Sequence, residues 1–449
     1  MASIKIKRGL DVPLHGALPS HQVVDRMDVR HVALLPQESW GIKTRMLVAE
    51  GDDVQLGTPL YCDRRDETVL FTSPAAGRVA RVNRGERRAV LSVVIENPSF
   101  DDAVAFEPLD PAKTERAKLK EALAASGAWP CLRRRPFDKV AETTDEPFAI
   151  VVQAHDSNPL APDLREVVRG READVSAGLR VLAALTDGKV HLATAAGSNW
   201  SDCTPEGVHV SSFQGPHPSG TAGTSIHHLA PAGAKRIVWY AGVQDVADIG
   251  ALFTRGERPK SRVVAITGPE ASSPALVRTR PGAATDELLH DATSASEPRV
   301  VNGSALWGRE ANPGSPSGYL GRYATQLTVL ENQVGRDFLG WALPVSGRYT
   351  FTNTVWDKFF RKRFKFDTDS NGSLRAIVPI GVYESVMPLD VLPTQLIKAL
   401  ASGDLEMAEK LGVLELGEED LALCQFVDPC KVPITDWLRS MLTTIEKEG

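Results

Sequence analysis

Alternation of short apolar stretches with helical periodicity between about residues 147 and 258 is the feature that most constrains this chain's fold. Residues 148–152, 190–193 and 236–240 are apolar and short enough to be buried strands. Residues 175–182 place valine and leucine on one helical face, and residues 243–253 form a second helical stretch. Strands that alternate with helices predict a parallel, Rossmann-like sheet.

Residues 40–96 have a different pattern, with glycine-rich turns between short alternating strands predicted at 78–83 and 89–95. This module resembles a biotinyl/lipoyl carrier domain, a β barrel-sandwich whose cofactor-bearing lysine lies on a hairpin before a proline turn. The corresponding hairpin, residues 66–68, reads Asp-Glu-Thr and has no lysine. We therefore expect a carrier-like scaffold without a cofactor.

The remaining segments complete a prediction of an α/β multidomain protein. Residues 262–307 have the strand, turn, strand and short-helix order of a β-grasp (SLBB-like) domain. The last ninety residues are mainly helical, and the apolar residues between 437 and 445 lie on one side of a terminal helix. We predict four domains: 1–110 (N-terminal strand and carrier-like module), 111–258 (Rossmann-like, beginning with a helix near 112–126), 259–330 (β-grasp) and 331–449 (helical).

Composition and charge exclude several classes of protein. A net charge of −6 argues against a chain built mainly to bind nucleic acid. There is no apolar run of the roughly 18–20 residues that a membrane span needs, and no signal peptide. The five cysteines include no C-x2-C pair, so we predict no zinc or iron–sulfur site. We expect a cytoplasmic chain with reduced thiols and peripheral membrane contact.

Several phrases, in order along nearly the whole chain, resemble the NqrA family, which forms part of the sodium-translocating NADH:quinone oxidoreductase. They are residues 4–13, 83–88, 215–220, 223–228, 378–390 and 411–424. Two stretches depart from the family pattern. Cys430 stands where the family tends to have tyrosine and glycine, and residues 356–366 are unusually basic and aromatic.

The resemblance implies a translocase component that is inactive in isolation and has no catalytic residue of its own. It implies a six-subunit complex in which other subunits handle NADH, flavins, an iron–sulfur centre and sodium. We expect this chain to bind no cofactor tightly and to serve the quinone-reduction end, from ubisemiquinone to ubiquinol. Its place would be the cytoplasmic face of the bacterial inner membrane, chiefly on a membrane-embedded flavoprotein subunit.

The stretch 127–137 matches, by resemblance, the glycine-rich flavin-phosphate loop of respiratory NADH dehydrogenases. Only one glycine remains, and glycine is what lets a backbone approach a phosphate closely. We therefore expect that the flavin site is lost. The aromatic and donor groups needed for ubiquinone are present, and the candidate contacts are Trp129, Arg133, Arg135 and Phe137. The alternative is that these arginines pair with acids at a domain interface.

A second candidate ligand loop lies at 215–228. Its glycines suit a tight turn into a helix N-terminus, which can hold an anion or a carbonyl oxygen, and its candidate residues are His217, Ser219, Gly220 and Thr224. A metal is disfavoured, because adjacent helical residues such as His227 and His228 point about 100° apart. The alternative is a purely structural loop.

Residues 358–366 interleave charges with aromatic rings. We interpret them as a docking surface for lipid headgroups or a membrane subunit, or equally as a solvated strand with one buried phenylalanine face. Two other functions remain open for the whole chain. One is a self-sufficient flavin- and NADH-binding dehydrogenase subunit, and the other is an assembly scaffold without a ligand site.

Overall fold

Strands from the first hundred residues enter four different sheets in the computed structural model, which describes residues 2–293, 295, 297–332, 349–351 and 363–448. These strands are β1 (Ala2–Lys5), β2 (Val23–Arg26), β3 (His31–Leu34), β4 (Thr44–Met46), β5 (Asp53–Val54), β6 (Pro59–Asp63), β7 (Asp66–Thr72), β8 (Ala76–Arg84) and β9 (Val90–Ser99). The order β3-β9-β8-β5 forms one sheet and β4-β6-β7 another. The predicted β module is therefore two small sheets.

The α/β region forms the central sheet. Its elements are α1 (Arg116–Ala125), β10 (Arg133–Arg135), β11 (Lys139–Val140), β12 (Ala149–Ala154), α2 (Leu164–Val167), α3 (Glu172–Ala184), β13 (Lys189–Ala195), β14 (Val208–Gln214), α4 (Ala222–Leu229), β15 (Val238–Gly242) and α5 (Val243–Arg255). Strand order is β1-β14-β13-β12-β15-β10-β11, with the first five strands parallel. The predicted strands and helices of this region are present.

Two results differ from expectation. The N-terminal strand β1 lies at the edge of the central sheet, where Ile4 is opposite Phe213 of β14, and not in the β module. The stretch 127–137, interpreted as a loop, contains a short 3-10 turn and then β10, antiparallel to β15. The loop interpretation was wrong for residues 133–135. A run of three arginines gives no strand pattern in the sequence, and the hydrogen bonds of this strand come from β15, which is distant along the chain.

The third region forms a six-stranded sheet, and the chain ends in helices. The elements are β16 (Arg262–Thr267), β17 (Ala275–Thr279), α6 (Thr285–Leu288), β18 (Pro298–Gly303), β19 (Gly308–Glu310), β20 (Gln326–Glu331), α7 (Val382–Val386), α8 (Pro393–Ser402), α9 (Leu405–Lys410), α10 (Glu418–Val427) and α11 (Ile434–Glu448). The order β19-β18-β20-β16-β17-β2 includes a strand from the first thirty residues.

The terminal helix α11 buries the predicted face. Leu438, Met441, Leu442 and Ile445 are buried in the core of the C-terminal helices, and Trp437 packs against them. Most of the basic and aromatic stretch 358–366 lies outside the described residues, although Phe364 is buried. No helix in the described part of the chain is long and apolar enough to cross a membrane.

Close contact between α3 and α5 holds the central sheet's helical layer together. A methyl group on Gly178 would lie 1.9 Å from the carbonyl oxygen of Val246, and one on Gly250 would lie 1.9 Å from that of Asp174. These distances are far below van der Waals contact. Glycine is therefore required at both crossing positions for steric reasons, even though it weakens an isolated helix.

We predict that Gly250→Ala destabilises the protein by about 1–3 kcal/mol through overpacking. Helix propensity alone predicts the opposite, a gain of up to about 1 kcal/mol. Urea unfolding of the purified chain measures the difference. Gly233→Ala is the control, because a methyl group there would meet nothing within 4 Å. Equal stability of the two variants would contradict the crossing geometry.

A candidate ligand cavity at the carboxyl edge of the central sheet

The central sheet reverses its direction of growth between β12 and β15. From β12 the chain adds β13 and then β14 on one side, and it returns through α4 to place β15 on the other side. In open α/β sheets ligands bind in the crevice at the carboxyl ends of the strands beside such a reversal. A cavity of about 440 Å³ lies at this point, bordered by Gln153, His155, Gly242 and Gln244.

Three other parts of the chain close the cavity. Trp40 comes from the turn after β3, Trp307 from the hairpin between β18 and β19, and Glu418, Glu419 and Arg439 from the terminal helices. The guanidinium of Arg439 lies 5.0 Å from the centre of the Trp40 ring, which is cation–π distance. The cavity is therefore an interdomain site with aromatic groups on its border.

Arg133 is one of the cationic groups on the cavity border. Its guanidinium carbon lies 5.1 Å from the ring centres of both Tyr240 and Tyr323, and Nη2 pairs with Asp138 Oδ1 at 2.9 Å. Burial opposes the charge of Arg133, but Asp138, Tyr240 and Tyr323 together raise the guanidinium pKa. A cation held between two aromatic rings can recognise a planar ligand with oxygen acceptors.

Glu419 and Asp156 face each other across Asn158. The Nδ2 group of Asn158 donates to Glu419 Oε1 at 2.9 Å and to Asp156 Oδ1 at 3.0 Å. Burial, together with the neighbouring carboxylates of Asp156 and Asp420, raises the pKa of Glu419 to about 7. The border of the cavity therefore includes a carboxyl group whose pKa lies near neutral pH.

The four predicted quinone contacts have different environments, although they are close in sequence. Arg133 borders the cavity. Trp129 is fully buried and donates from Nε1 to the carbonyl oxygen of Ala141 at 2.7 Å. Arg135 and Phe137 contact the terminal helices, since Phe137 accepts a 2.8 Å hydrogen bond from Arg439 through its carbonyl oxygen. The structure does not bring the four side chains together around one ligand space.

Arg135 joins the sheet to the C-terminal helices through buried ion pairs. Its side chain is 1% exposed, and Nη1 donates to Asp420 Oδ2 at 2.8 Å and to the carbonyl oxygen of Glu415 at 2.9 Å. Burial opposes ionisation of Asp138, but Arg133 and Arg135 hold its pKa well below the usual value. This arrangement matches the alternative interpretation, in which an arginine of this stretch pairs with acids at a domain interface.

His217, the first residue of the second predicted ligand set, is buried inside its loop. Its Nδ1 lies 3.1 Å from Ser157 Oγ, and its backbone N–H donates to Asp11 Oδ1 at 2.9 Å. Burial lowers the pKa of His217 to about 4. The backbone of His217 thus ties the N-terminal segment to the loop before α4, and its buried side chain contacts Ser157.

Of the other three, only Gly220 borders the cavity. A methyl group on Gly220 would lie 2.5 Å from the backbone nitrogen of Ser157, so the close approach of two loops explains this glycine. Ser219 donates to the carbonyl oxygen of Gly215 at 2.9 Å, and Thr224 is fully buried against Thr221. These contacts shape the loop.

The neighbouring histidines have protein partners. His227 Nδ1 lies 3.1 Å from Glu415 Oε2, and its Nε2 accepts the backbone N–H of Asp390 at 3.2 Å. Glu415 raises the pKa of His227, whereas burial lowers that of His228. No group of three or more histidine, cysteine or carboxylate side chains within the described ranges could hold a metal.

Sequence reasoning did not select Tyr240, Tyr323, Asn158 or Glu419, which border the cavity. They come from four different segments, and none lies within a recognisable motif. The one available signal was general: residues after the carboxyl ends of predicted parallel strands, such as those following 148–152, are favoured for ligand sites. Nothing in the linear pattern indicated that a helix near residue 419 would close this cavity.

Comparisons with known proteins agree with the architecture of a multidomain α/β protein. Residues 4–98 match the family of the NqrA N-terminal barrel-sandwich hybrid domain, 114–258 the NqrA second alpha/beta domain, and 263–312 the NQRA C-terminal (SLBB) domain. The chain belongs to the NqrA family of the Na(+)-translocating NADH-quinone reductase. It is thus one component of a translocating oxidoreductase complex, and the family prediction is confirmed.

Relatives that carry the name of this reductase component align over the whole chain. Those of Hahella chejuensis and Serratia proteamaculans are 45% and 44% identical, and each alignment covers 99% of this chain and 100% of the relative. The relative of Pasteurella multocida is 43% identical with the same coverage. A solved NAD+-reducing NiFe-hydrogenase covers 74% of this chain and 66% of its own, at 14% identity and a TM-score of 0.36, too low to carry an argument.

We predict that Arg135→Met lowers the free energy of unfolding by about 3–5 kcal/mol, because it leaves Asp420 charged, buried and unpaired. Adding Asp420→Asn should cost less than the sum of the single changes, since the two groups interact directly. Urea unfolding of the three variants measures the coupling. Arg45→Met is the control, because its exposed pair with Glu67 is worth at most about 1 kcal/mol. Strict additivity would contradict a direct pair.

Proposed function

We propose that this chain serves the quinone-reduction end of the complex, from ubisemiquinone to ubiquinol, and that the cavity at the carboxyl edge of the central sheet receives the quinone head group. The observation that carries this proposal is Arg133, held between Tyr240 and Tyr323 on a cavity wall. A quinone needs a planar apolar slot and donors for its two carbonyl oxygens. Tyr240 and Tyr323 supply aromatic surface on the cavity border, and Arg133 beside them supplies the donor.

In this proposal some of the predicted residues contact the quinone, and the others hold those residues in position. Arg133 touches the quinone, and Gly220 lets the loop before α4 lie against the same space. Trp129 and Arg135 hold the strand that carries Arg133, and Phe137 fixes Arg439 on the cavity border. The loop residues His217, Ser219 and Thr224 hold the position of Gly220.

The finer domain types are part of the proposal. We assign 1–110 to a carrier-like module, 111–258 to a Rossmann-like domain, 259–330 to a β-grasp domain and 331–449 to a helical domain, although β1 and β2 cross these divisions in space. The carrier hairpin supports a scaffold role, because Asp66 accepts a 2.6 Å hydrogen bond from Thr143 of the α/β region. It thus packs against the protein instead of presenting a cofactor.

We further propose that the chain lies on the cytoplasmic face of the membrane, on a membrane-embedded flavoprotein subunit. Membership in a named multi-subunit reductase implies partner subunits. NADH, flavins, the iron–sulfur centre and sodium are then handled by those partners, and this chain keeps no redox cofactor. Residues 358–366, with mixed basic and aromatic character, remain the proposed contact with headgroups or a membrane subunit.

Loss of the flavin site predicts that the purified chain is colourless. The stretch that corresponds to the flavin-phosphate loop is filled by Trp129 and Pro130, both buried, and a cradle for phosphate needs an open backbone. A visible spectrum of the chain, purified and then incubated with excess flavin, tests this. A flavin band near equimolar with protein would contradict it and restore the dehydrogenase alternative.

Quinone contact predicts a selective effect of Arg133→Gln in the assembled complex. Losing a charge-assisted hydrogen bond, worth about 1.5–3 kcal/mol, should weaken the apparent quinone affinity about tenfold or more. NADH oxidation by a soluble acceptor should stay normal, because the input site lies in another subunit. Steady-state kinetics with a short-chain ubiquinone measure both.

Arg134→Gln is the matched control for this experiment. Arg134 is the next residue of the same strand, is more deeply buried than Arg133 and pairs with Asp145 at 2.8 Å, but it does not border the cavity. Its loss should cost stability without changing quinone affinity. Equal effects of both changes, or dissociation of the chain from the complex, would favour the assembly scaffold without a ligand site.

A further inference from the structure

Six carboxyl side chains border the cavity, and four of them have an arginine partner. Asp138 pairs with Arg133, Asp245 with Arg262 at 3.0 Å, Glu38 with Arg309 at 3.2 Å, and Glu418 with Arg439. The remaining two are Asp156 and Glu419. Neither forms an ion pair with any residue in the described part of the chain.

Asp156 and Glu419 are instead bridged by one uncharged amide, Asn158, whose own oxygen accepts from Ser304 at 2.9 Å. Two carboxylates that share a donor without a cation cannot both be ionised at low cost. Asp156 also accepts hydrogen bonds from the backbone N–H of Asn158 and from Thr325, each at 2.9 Å. Asp156 thus accepts three hydrogen bonds, whereas Glu419 accepts one, from Asn158, so that Glu419 is the less compensated carboxyl of the two among the described residues.

The surroundings of Glu419 mainly favour its protonated form. Asp156 lies on the loop after β12, and Asp420 and Glu418 lie on Glu419's own helix. Two cations on the cavity border, Arg133 from β10 and Arg439 from α11, are already engaged by Asp138 and Glu418. Burial and the charges of Asp156 and Asp420 raise the pKa of Glu419 to about 7, although Asn158 and Arg133 act to lower it.

We propose that Glu419 is the proton donor to the oxygen of the ligand reduced in this cavity. The proposal rests on the proposed function, since it needs the quinone in the cavity. Oε1 is held by Asn158, so Oε2 is the oxygen that delivers the proton. Glu419 is then a catalytic residue that no sequence motif singles out.

The electron and the two protons that this step needs all have a source. A semiquinone anion takes one electron from the redox subunits and two protons to become the quinol. Glu419 gives one of these protons: its Oε2–H bond breaks, an O–H bond forms on the quinone oxygen, and a carboxylate remains. Bulk solvent supplies the second proton and the proton that restores Glu419, and water in the cavity mouth relays both without net consumption.

The first test is the rate and pH profile of quinone reduction by the assembled complex. Removing a general acid costs about 10²–10⁴-fold, so Glu419→Gln should lower kcat at least tenfold while KM for a short-chain ubiquinone changes little. The wild-type rate should fall as pH rises through about 7, where Glu419 loses its proton. Glu419→Gln should lack that fall. NADH oxidation by a soluble acceptor should be unchanged.

Two further variants keep this test decisive. Glu419→Asp retains an acid and should restore part of the rate together with the pH-dependent fall, which a merely structural role would not do. Glu409→Gln, an exposed change on α9, should behave as wild type. If Glu419→Gln does not assemble, a flat pH profile in Glu419→Asp would overturn the proposal.

A second test detects the proton on Glu419 in the absence of quinone, through the pH dependence of stability. A carboxyl whose folded-state pKa lies above its unfolded value near 4.5 makes the folded state bind more protons, so stability falls as pH rises from about 4.5 to about 7. Glu419→Gln should remove this loss. The variant's urea midpoint should therefore rise relative to wild type across that range, and a constant difference from pH 4.5 to 8 would show that Glu419 is ionised.

The outcomes separate this inference from the proposed function. A normal rate and pH profile in Glu419→Gln, with weakened quinone affinity in Arg133→Gln, would overturn the inference alone. Normal quinone kinetics in both variants would overturn both. A slow Glu419→Gln enzyme without the pH-dependent fall, together with the stability difference, supports the assignment.

Discussion

The buried ion pairs of Arg135 hold the C-terminal helices against the central sheet, and the cavity depends on that attachment. Arg135 joins β10 to Asp420 of α10, while Asp138 receives both Arg133 and Arg135. Buried charges are tolerated only when they are paired and hydrogen-bonded, so the positions of these groups relative to one another are narrowly defined. Because Asp420 is fixed, its neighbours Glu418 and Glu419 are positioned over the sheet edge.

Strand geometry explains how three consecutive arginines acquire three functions. Side chains alternate across a strand, so Arg133 and Arg135 point to one side of β10 and Arg134 to the other, where it pairs with Asp145. On the shared side, Arg135 is further along and lies under α10, whereas Arg133 reaches the cavity. One strand therefore contributes an interdomain anchor, a buried structural pair and a candidate ligand contact.

The electrostatics of the cavity depend on which of the carboxyl groups on its border pair with an arginine. Four of the carboxyl groups on the cavity border pair with an arginine, and the two linked through Asn158 form no ion pair with any described residue. Burial without a counter-charge favours the neutral form of a carboxylic acid. A carboxyl group with a raised pKa thus borders the same cavity as Arg133, a combination suited to a ligand that gains electrons and protons together.

The sequence alone determined the class of each region, because periodicity is a local property. Apolar segments at 148–152, 190–193 and 236–240, the helix at 243–253 and the buried face of α11 all follow from residue spacing, and the family follows from ordered phrases along the chain. Tertiary structure decided what local patterns cannot contain: that β1 and β2 enter distant sheets, that 133–135 is a strand, and that Glu419 meets Asn158. Those outcomes depend on hydrogen bonds and ion pairs between residues up to almost three hundred positions apart, whose energies exist only once the chain has folded.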